Sequence, residues 1–225
     1  THTYDSTSEG NYGKGRRTGM SDALGTTAYK YDARGRLIEE KRTIDSVDYT
    51  TGFTYDGADR VVTVTYPTGE TVTNGYNGRG LPSTVSGSTA GNLVTGTLYN
   101  GLGLPTEINL NNGVRTNFGY WGMGGLWDPA GGYYGRLGWI YTAKYPGNNP
   151  VFQDVTYTWD AGGNLTQRSG PSETEDFTYD FLDRLTAVSG AYSHSYAYNQ
   201  IGNITSMNGG NYTYSTKPHA VTAVG

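Results

Sequence analysis

The sequence predicts an all-β chain: a spiral strip of consecutive antiparallel β-hairpins, solenoid-like, with no cap at either end. Three observations predict it. A short phrase built from two aromatics, an Asp or Asn and a glycine recurs along the 225 residues. Gly (35) and Tyr (21) are abundant while the apolar fraction is only 35 %, so tyrosine rings must supply the buried area that Leu and Ile supply elsewhere. Charged residues make up 16 %, and disordered chains usually combine low hydrophobicity with high net charge.

The phrase is set by "AYKYDARGRLIEEKR" from Ala28 and returns as "FTYDGADRVVTVT" from Phe53, "YTWDAGGNLTQR" from Tyr157, "FTYDFLDRLTAV" from Phe177 and "YAYNQIGNITSM" from Tyr196. Aligned on the second aromatic, the anchors are Tyr4, Tyr31, Tyr55, Tyr76, Tyr99, Tyr120, Trp159, Tyr179, Tyr198 and Tyr214. This spacing is too irregular for a rigid solenoid rung and suits hairpins with variable tips. Before each turn, aromatics alternate with small polar residues, as in Val155, Tyr157 and Trp159, which places the rings on one face of a strand.

The turns follow: Asp32 to Gly35, Asp56 to Asp59, Asn77 to Gly80, Asn100 to Gly103, Asp160 to Gly163, Asp180 to Asp183 and Asn199 to Gly202. Each opens with Asp or Asn, whose side chain can accept a backbone N–H two residues on. Each closes with Gly or Asp, which tolerate the left-handed exit. The acids are thus read as turn formers. An apolar residue then returns as Leu37, Val61, Leu81, Leu104, Leu165, Leu185 or Ile204, ready to pack beside the incoming rings. One hairpin is marginal in water, but stacked copies bury the ring face cumulatively. Residues 1–225 are expected to form one continuous array, with an irregular aromatic- and Gly-rich elaboration at about 120–158. Because repeat arrays need protected edges and neither end shows a cap, the chain is expected to be an excerpt of a longer polypeptide or a subunit whose ends join neighbours.

The phrases "YDARGRL", "TYDGADRV", "TYDFLDRL", "WDAGGNL" and "YNQIGNI", with the connectors "YNGLGLPTEINLNNG" and "KPHAVTAVG", resemble the YD-repeat, or RHS-repeat, family over nearly the whole chain. The resemblance implies a β-strip that spirals into a hollow shell. In bacterial RHS proteins and toxin-complex components such a shell encloses a C-terminal toxin, and in teneurins it belongs to an adhesion ectodomain. Toxin-bearing members end their core in a Pro- and Gly-containing cleavage motif followed by an effector. Here "WDPAGGYYG" from Trp127 shares an Asp-Pro-x-Gly element but sits mid-chain.

Chemistry finds little support. The net charge of −4 has no basic footprint for nucleic acid, and Lys14-Gly15-Arg16-Arg17 reads as a solvated loop. No apolar run approaches the roughly 20 residues of a membrane-spanning helix. Cysteine is absent, which is compatible with secretion. His2, His194 and His219 lack the spacing of a nucleophilic triad, and His194 is read as alternating outward between Tyr192 and Tyr196. Asp45 with Asp48, and Glu173 with Glu175 and Asp176, do not follow a calcium-loop pattern. "GMGG" from Gly122 has neither the lysine nor the helix of a phosphate loop. Asn164, Asn203 and Asn211 match glycosylation acceptors, the first two only as a consequence of the repeat phrase.

No catalytic residue, metal or cofactor is expected, and the aromatics and turn formers are assigned structural roles. The expected function is a non-catalytic scaffold, a segment of an RHS-type shell in a secreted or surface protein. Its partners would be the rest of the same polypeptide or identical subunits, with toxin cargo enclosed. Two other classes stay open: an extracellular fibre extended end to end, and a carbohydrate-binding module using Trp121, Trp127 and Trp139.

Overall fold

The structure, a computed structural model, describes residues 1–122, 135–215 and 217–225. Apart from one 3₁₀ turn at Ser8–Gly10, its regular elements are strands, 20 among the described residues. The chain divides into two compact units, Thr1–Gly113 and Val114–Gly225. The first holds β1 (His2–Tyr4), β2 (Arg17–Asp22), β3 (Gly25–Tyr31), β4 (Leu37–Ile44), β5 (Val47–Tyr55), β6 (Val61–Thr65), β7 (Thr71–Tyr76), β8 (Pro82–Gly87), β9 (Gly91–Tyr99) and β10 (Pro105–Leu110). The second holds β11 (Val114–Tyr120), β12 (Leu137–Lys144), β13 (Val151–Trp159), β14 (Leu165–Ser169), β15 (Thr174–Tyr179), β16 (Leu185–Gly190), β17 (His194–Tyr198), β18 (Ile204–Met207), β19 (Gly210–Tyr214) and β20 (Val221–Val224). Within each unit, every strand pairs antiparallel with the one before it. The predicted all-β series of hairpins is the observed fold.

Every odd-numbered strand ends on one of the aligned aromatics. At those rings the ladder slips by one residue. Tyr31 faces Leu37 while Lys30 faces Glu39, leaving Ile38 unopposed; Tyr55 faces Val61 while Thr54 faces Thr63, leaving Val62. The same slip accompanies Tyr76, Tyr120, Trp159, Tyr179, Tyr198 and Tyr214. Such a bulge adds local right-handed twist, so each hairpin bends at the same point of its phrase.

The other connections are short. Asp45 and Ser46 (φ 49° and 65°) join β4 to β5, and Asn208 and Gly209 (φ 51° and 84°) join β18 to β19. Both are two-residue tips with positive φ at each position, the geometry that matches strand twist. Opposite the ring face, threonines meet across strands: Thr54 with Thr63 at 2.6 Å, Thr65 with Thr71 at 3.0 Å, Thr178 with Thr186 at 3.2 Å.

The core is thin. Among described apolar residues only Tyr120, Ala143 and Val188 are buried, and the most enclosed large side chain is a carboxylate, Glu175. It lies beside Arg168, whose Nε donates to its Oε2 at 2.6 Å.

Where β15 and β16 part, Gly190 has φ 134°, and a Cβ there would stand 1.9 Å from the Thr174 carbonyl oxygen. Gly202, at φ 91°, has nothing within 4 Å of its Cβ position. Gly202→Ala is therefore expected to cost about 1 kcal/mol from backbone strain alone, and Gly190→Ala more than about 3 kcal/mol, because a main-chain atom must also move. Urea unfolding of the two variants checks the ranking; equal midpoints would contradict this close approach.

Candidate functional site: the ring and arginine seam

The repeated phrase assembles a seam of side chains that links successive hairpins. It begins in the turn. Asp32 Oδ1 accepts the N–H groups of Arg34 and Arg36, both at 2.9 Å, while the Gly35 N–H donates to the Asp32 carbonyl at 2.8 Å. Gly35 takes φ 80°, and Asp59 and Asp183 take 64° and 59° at the same position. Asp56, Asn77, Asn100, Asp180 and Asn199 accept the corresponding pairs of N–H groups. Asp160 accepts those of Gly163 and Asn164.

The acids do more than form turns. The second carboxylate oxygen of Asp32 holds Arg36 at 2.6 Å, and Asp56 and Asp180 hold Arg60 and Arg184 at the same distance. Where the fourth residue on is Leu81, Leu104 or Asn203, the turn opens with Asn instead. Acid and arginine therefore occur together in these copies. The guanidinium of Arg36, with two turn N–H groups, holds the Asp32 carboxyl below the usual carboxylate range. Arg60 and Arg184 do the same for Asp56 and Asp180, and the Asn164 amide for Asp160.

Each arginine then reaches forward. Arg36 lies 4.7 Å from the centre of the Tyr55 ring, Arg60 4.4 Å from Tyr76 and Arg184 4.7 Å from Tyr198, within cation–π range. Arg36 Nη1 also donates to the Asp56 carbonyl at 3.0 Å and to Asp59 at 2.7 Å, and Arg184 Nη1 to the Asn199 carbonyl at 3.1 Å. Arg136 does this for Asp160, at 2.8 Å. The turn-closing glycines leave room for the incoming cations: a Cβ on Gly80 would lie 2.8 Å from Arg60, and one on Gly163 2.9 Å from Arg136.

The rings reach backward. Tyr55 donates its hydroxyl to the Leu37 carbonyl at 2.6 Å, Tyr76 to Val61 at 2.8 Å, Tyr179 to Leu165 at 2.9 Å, Tyr198 to Leu185 at 2.8 Å and Tyr214 to Ile204 at 2.8 Å. Tyr31 donates to Arg17 and Tyr99 to Pro82. At Trp159 the indole N–H takes the same role on the Leu137 carbonyl, at 2.8 Å. In every case the acceptor is the first residue of the preceding strand; for Pro82, with no N–H of its own, the carbonyl is still available. Burial pushes the Tyr55, Tyr120 and Tyr179 hydroxyls up from the ordinary tyrosine value.

The remaining sequence candidates are scattered. Trp121 donates its indole N–H to the Tyr157 carbonyl at 2.9 Å. Trp139 lies against Gly119, its Nε1 occupying the space of a Cβ there. Both are half-buried. Trp127, most of "WDPAGGYYG" and all of "GMGG" except Gly122 lie outside the described residues. Asp48 is engaged by Thr43 and Lys41, and Asp176 by Gln167. Among the described residues no group of three or more His, Asp and Glu could hold a metal ion, and no helix is long and apolar enough to cross a membrane. His194 sits between Tyr192 and Tyr196, ring centres 5.1 and 6.3 Å away. His219 Nδ1 contacts Asn203 Oδ1 at 2.9 Å. The forward-reaching arginines were missed by sequence reasoning, although the pairing of Asp with Arg four residues on was a readable signal.

A repeating ring that bonds back, a turn that locks and an arginine that reaches forward define a class, the YD hairpin array. Residues 12–43 match the family model described as RHS Repeat. No curated protein matches the chain. Among solved structures, the crystal structures of TcdB2-TccC3-Cdc42 and of TcdB2-TccC3 each superpose on 98 % of the chain at 18 % identity and TM-score 0.78. The Photorhabdus luminescens Tc holotoxin pore superposes on 98 % at 17 % identity and TM-score 0.73. The chain spans 13–14 % of the length of those proteins. It carries an RHS-repeat match over residues 12–43 and has the fold of these toxin-complex proteins.

Two predictions test the seam. Tyr179→Phe leaves the Leu165 carbonyl without its donor and is expected to lower stability by about 1 kcal/mol, read from the urea midpoint at unchanged slope; an unshifted midpoint would mean that the ring alone carries the contact. The second concerns Asn164, whose amide nitrogen donates to Asp160 at 3.0 Å and to Asp183 at 2.7 Å. Arg36 bridges Asp32 and Asp59 in the same way, so at Asn164 two carboxylates converge on a neutral group. Asn164→Arg is expected to raise the melting temperature, with the gain shrinking in high salt. A lower melting temperature at both ionic strengths would reject the analogy.

Proposed function

We propose that this chain is a segment of the wall of an RHS-type shell that encloses a cargo polypeptide, such as a toxin, in a larger secreted or cell-surface protein. Its role there is structural, and its immediate partners are the remainder of the same polypeptide and the enclosed cargo. The seam carries this reading. Within each unit, side-chain bonds join hairpins to their neighbours in addition to the backbone ladder, so a wall can be lengthened without thickening its core. The likeness to TcdB2-TccC3 supports it through the fold.

The test is electron microscopy of the native full-length protein that contains this segment, paired with limited proteolysis. Closed hollow particles with internal density, and cargo that resists protease until the wall is opened, are the expected result. Threads with an axial repeat would replace the shell with an extracellular fibre. Cargo digested equally fast inside and outside the particle would remove enclosure as the function.

A further inference from the structure

The chain has five Asn-Gly pairs, beginning at Asn74, Asn77, Asn100, Asn112 and Asn208. Such pairs can close on themselves, because the glycine nitrogen can attack the asparagine amide carbon when the peptide between them is free to rotate. Four of the five are restrained. Asn74 and Gly75 both lie within β7, opposite Val85 and Thr84, so the ladder fixes the peptide between them. At Asn77 and Asn100 the main-chain carbonyl accepts the Gly80 and Gly103 N–H groups at 2.9 and 3.1 Å, which fixes the rotation that ring closure needs. At Asn112 the attacking nitrogen is engaged, Gly113 N–H donating to Leu110 at 3.0 Å.

Asn208 lacks these restraints on the peptide that follows it. It sits with Gly209 at an exposed two-residue tip, and neither its own carbonyl nor the Gly209 N–H takes part in a backbone hydrogen bond among the described residues. The side-chain amide is gripped from the neighbouring strand β17. The Ser195 N–H donates to Asn208 Oδ1 at 2.9 Å, and Nδ1 of the His194 ring contacts Asn208 Nδ2. A donor on the carbonyl oxygen stabilises the charge that builds there during addition. In this contact the amide nitrogen donates and Nδ1 accepts; once addition has turned that nitrogen into a basic amine, a protonated ring in the same place can return a proton to it.

We propose that Asn208–Gly209 is a self-modifying site, at which the fold promotes deamidation with His194 as the acid. The Gly209 nitrogen bonds to the Asn208 side-chain carbon and releases its proton to water. The carbon–Nδ2 bond then breaks, and the nitrogen leaves as ammonia with a proton delivered by the protonated His194 ring. A water molecule opens the resulting succinimide to aspartate or isoaspartate at position 208. The product places a new negative charge on the tip joining β18 to β19, and the isoaspartate form inserts an extra backbone carbon there.

The experiment ages the folded full-length protein in neutral buffer and maps each Asn-Gly peptide by mass spectrometry, with a urea-unfolded sample as reference. Conversion at position 208 is expected to be faster folded than unfolded, and conversion at positions 77, 100 and 112 slower. His194→Ala is expected to slow position 208 on the order of 10-fold, the modest end of what a positioned acid supplies, and to leave the other four rates unchanged. Folded protein that keeps its amide at 208 as long as at 77 overturns the proposal, and so does an unchanged rate in His194→Ala. The folded-to-unfolded ratio in the unmodified sequence decides the matter even where the variant fails to fold.

Discussion

The fold depends on giving a partner to the polar tip of a large ring where there is no dry core to hold it. A tyrosine supplies buried area, but its hydroxyl must be bonded or hydrated. Here the hydroxyls of Tyr31, Tyr55, Tyr76, Tyr99, Tyr179, Tyr198 and Tyr214 reach a main-chain carbonyl at the start of the preceding strand. The bulge at each ring makes this geometry available: the strand twists where the ladder slips, and the ring crosses to its neighbour. A leucine would bury comparable carbon but bond to nothing. Trp159, whose indole N–H substitutes for a hydroxyl, shows that the requirement is for a rigid ring with a donor at its far end.

Charge is organised on the same plan. Isolated surface ion pairs contribute little, but Asp32, Arg36 and Asp59 form a linked set in which one guanidinium closes its own turn, covers the next ring and holds the next turn. Turn exits also meet side chains from the preceding hairpin: Arg60 stands against the Cβ position of Gly80 and Arg136 against that of Gly163, while Arg36 bonds Asp59 and Asn164 bonds Asp183. These four exits depend on a spatial neighbour as well as on their own backbone conformation.

That dependence marks what the sequence can and cannot say. Aromatic alternation followed by an Asp or Asn and a Gly places strand ends at Tyr31, Tyr55, Trp159, Tyr179 and Tyr198, because local chemistry decides both the strand face and the turn. The forward reach of Arg36 and the acceptor of the Tyr55 hydroxyl depend on which residue stands beside them one hairpin away, and no local pattern encodes that. The enclosure of Glu175 was hidden for a related reason. It reads as one acid among three in a connector, yet β15 places it opposite Arg168 on the ring face. Trp121 and Trp139, for which sugar stacking stayed an open alternative, each present a ring edge to the protein itself.

A seam of this kind also bears on what such a chain can become. Each link joins only adjacent hairpins, so local stability is nearly a sum over neighbours, and one phrase can change without disturbing a distant one. The Asn164 position illustrates this: the arginine of the phrase is replaced, two carboxylates share one amide, and the turns on both sides keep their locks. A compact globular core would spread such a loss through its packing. A wall built of neighbour contacts confines it to one joint, so a repeat can vary in length and sequence while the surface it extends stays continuous.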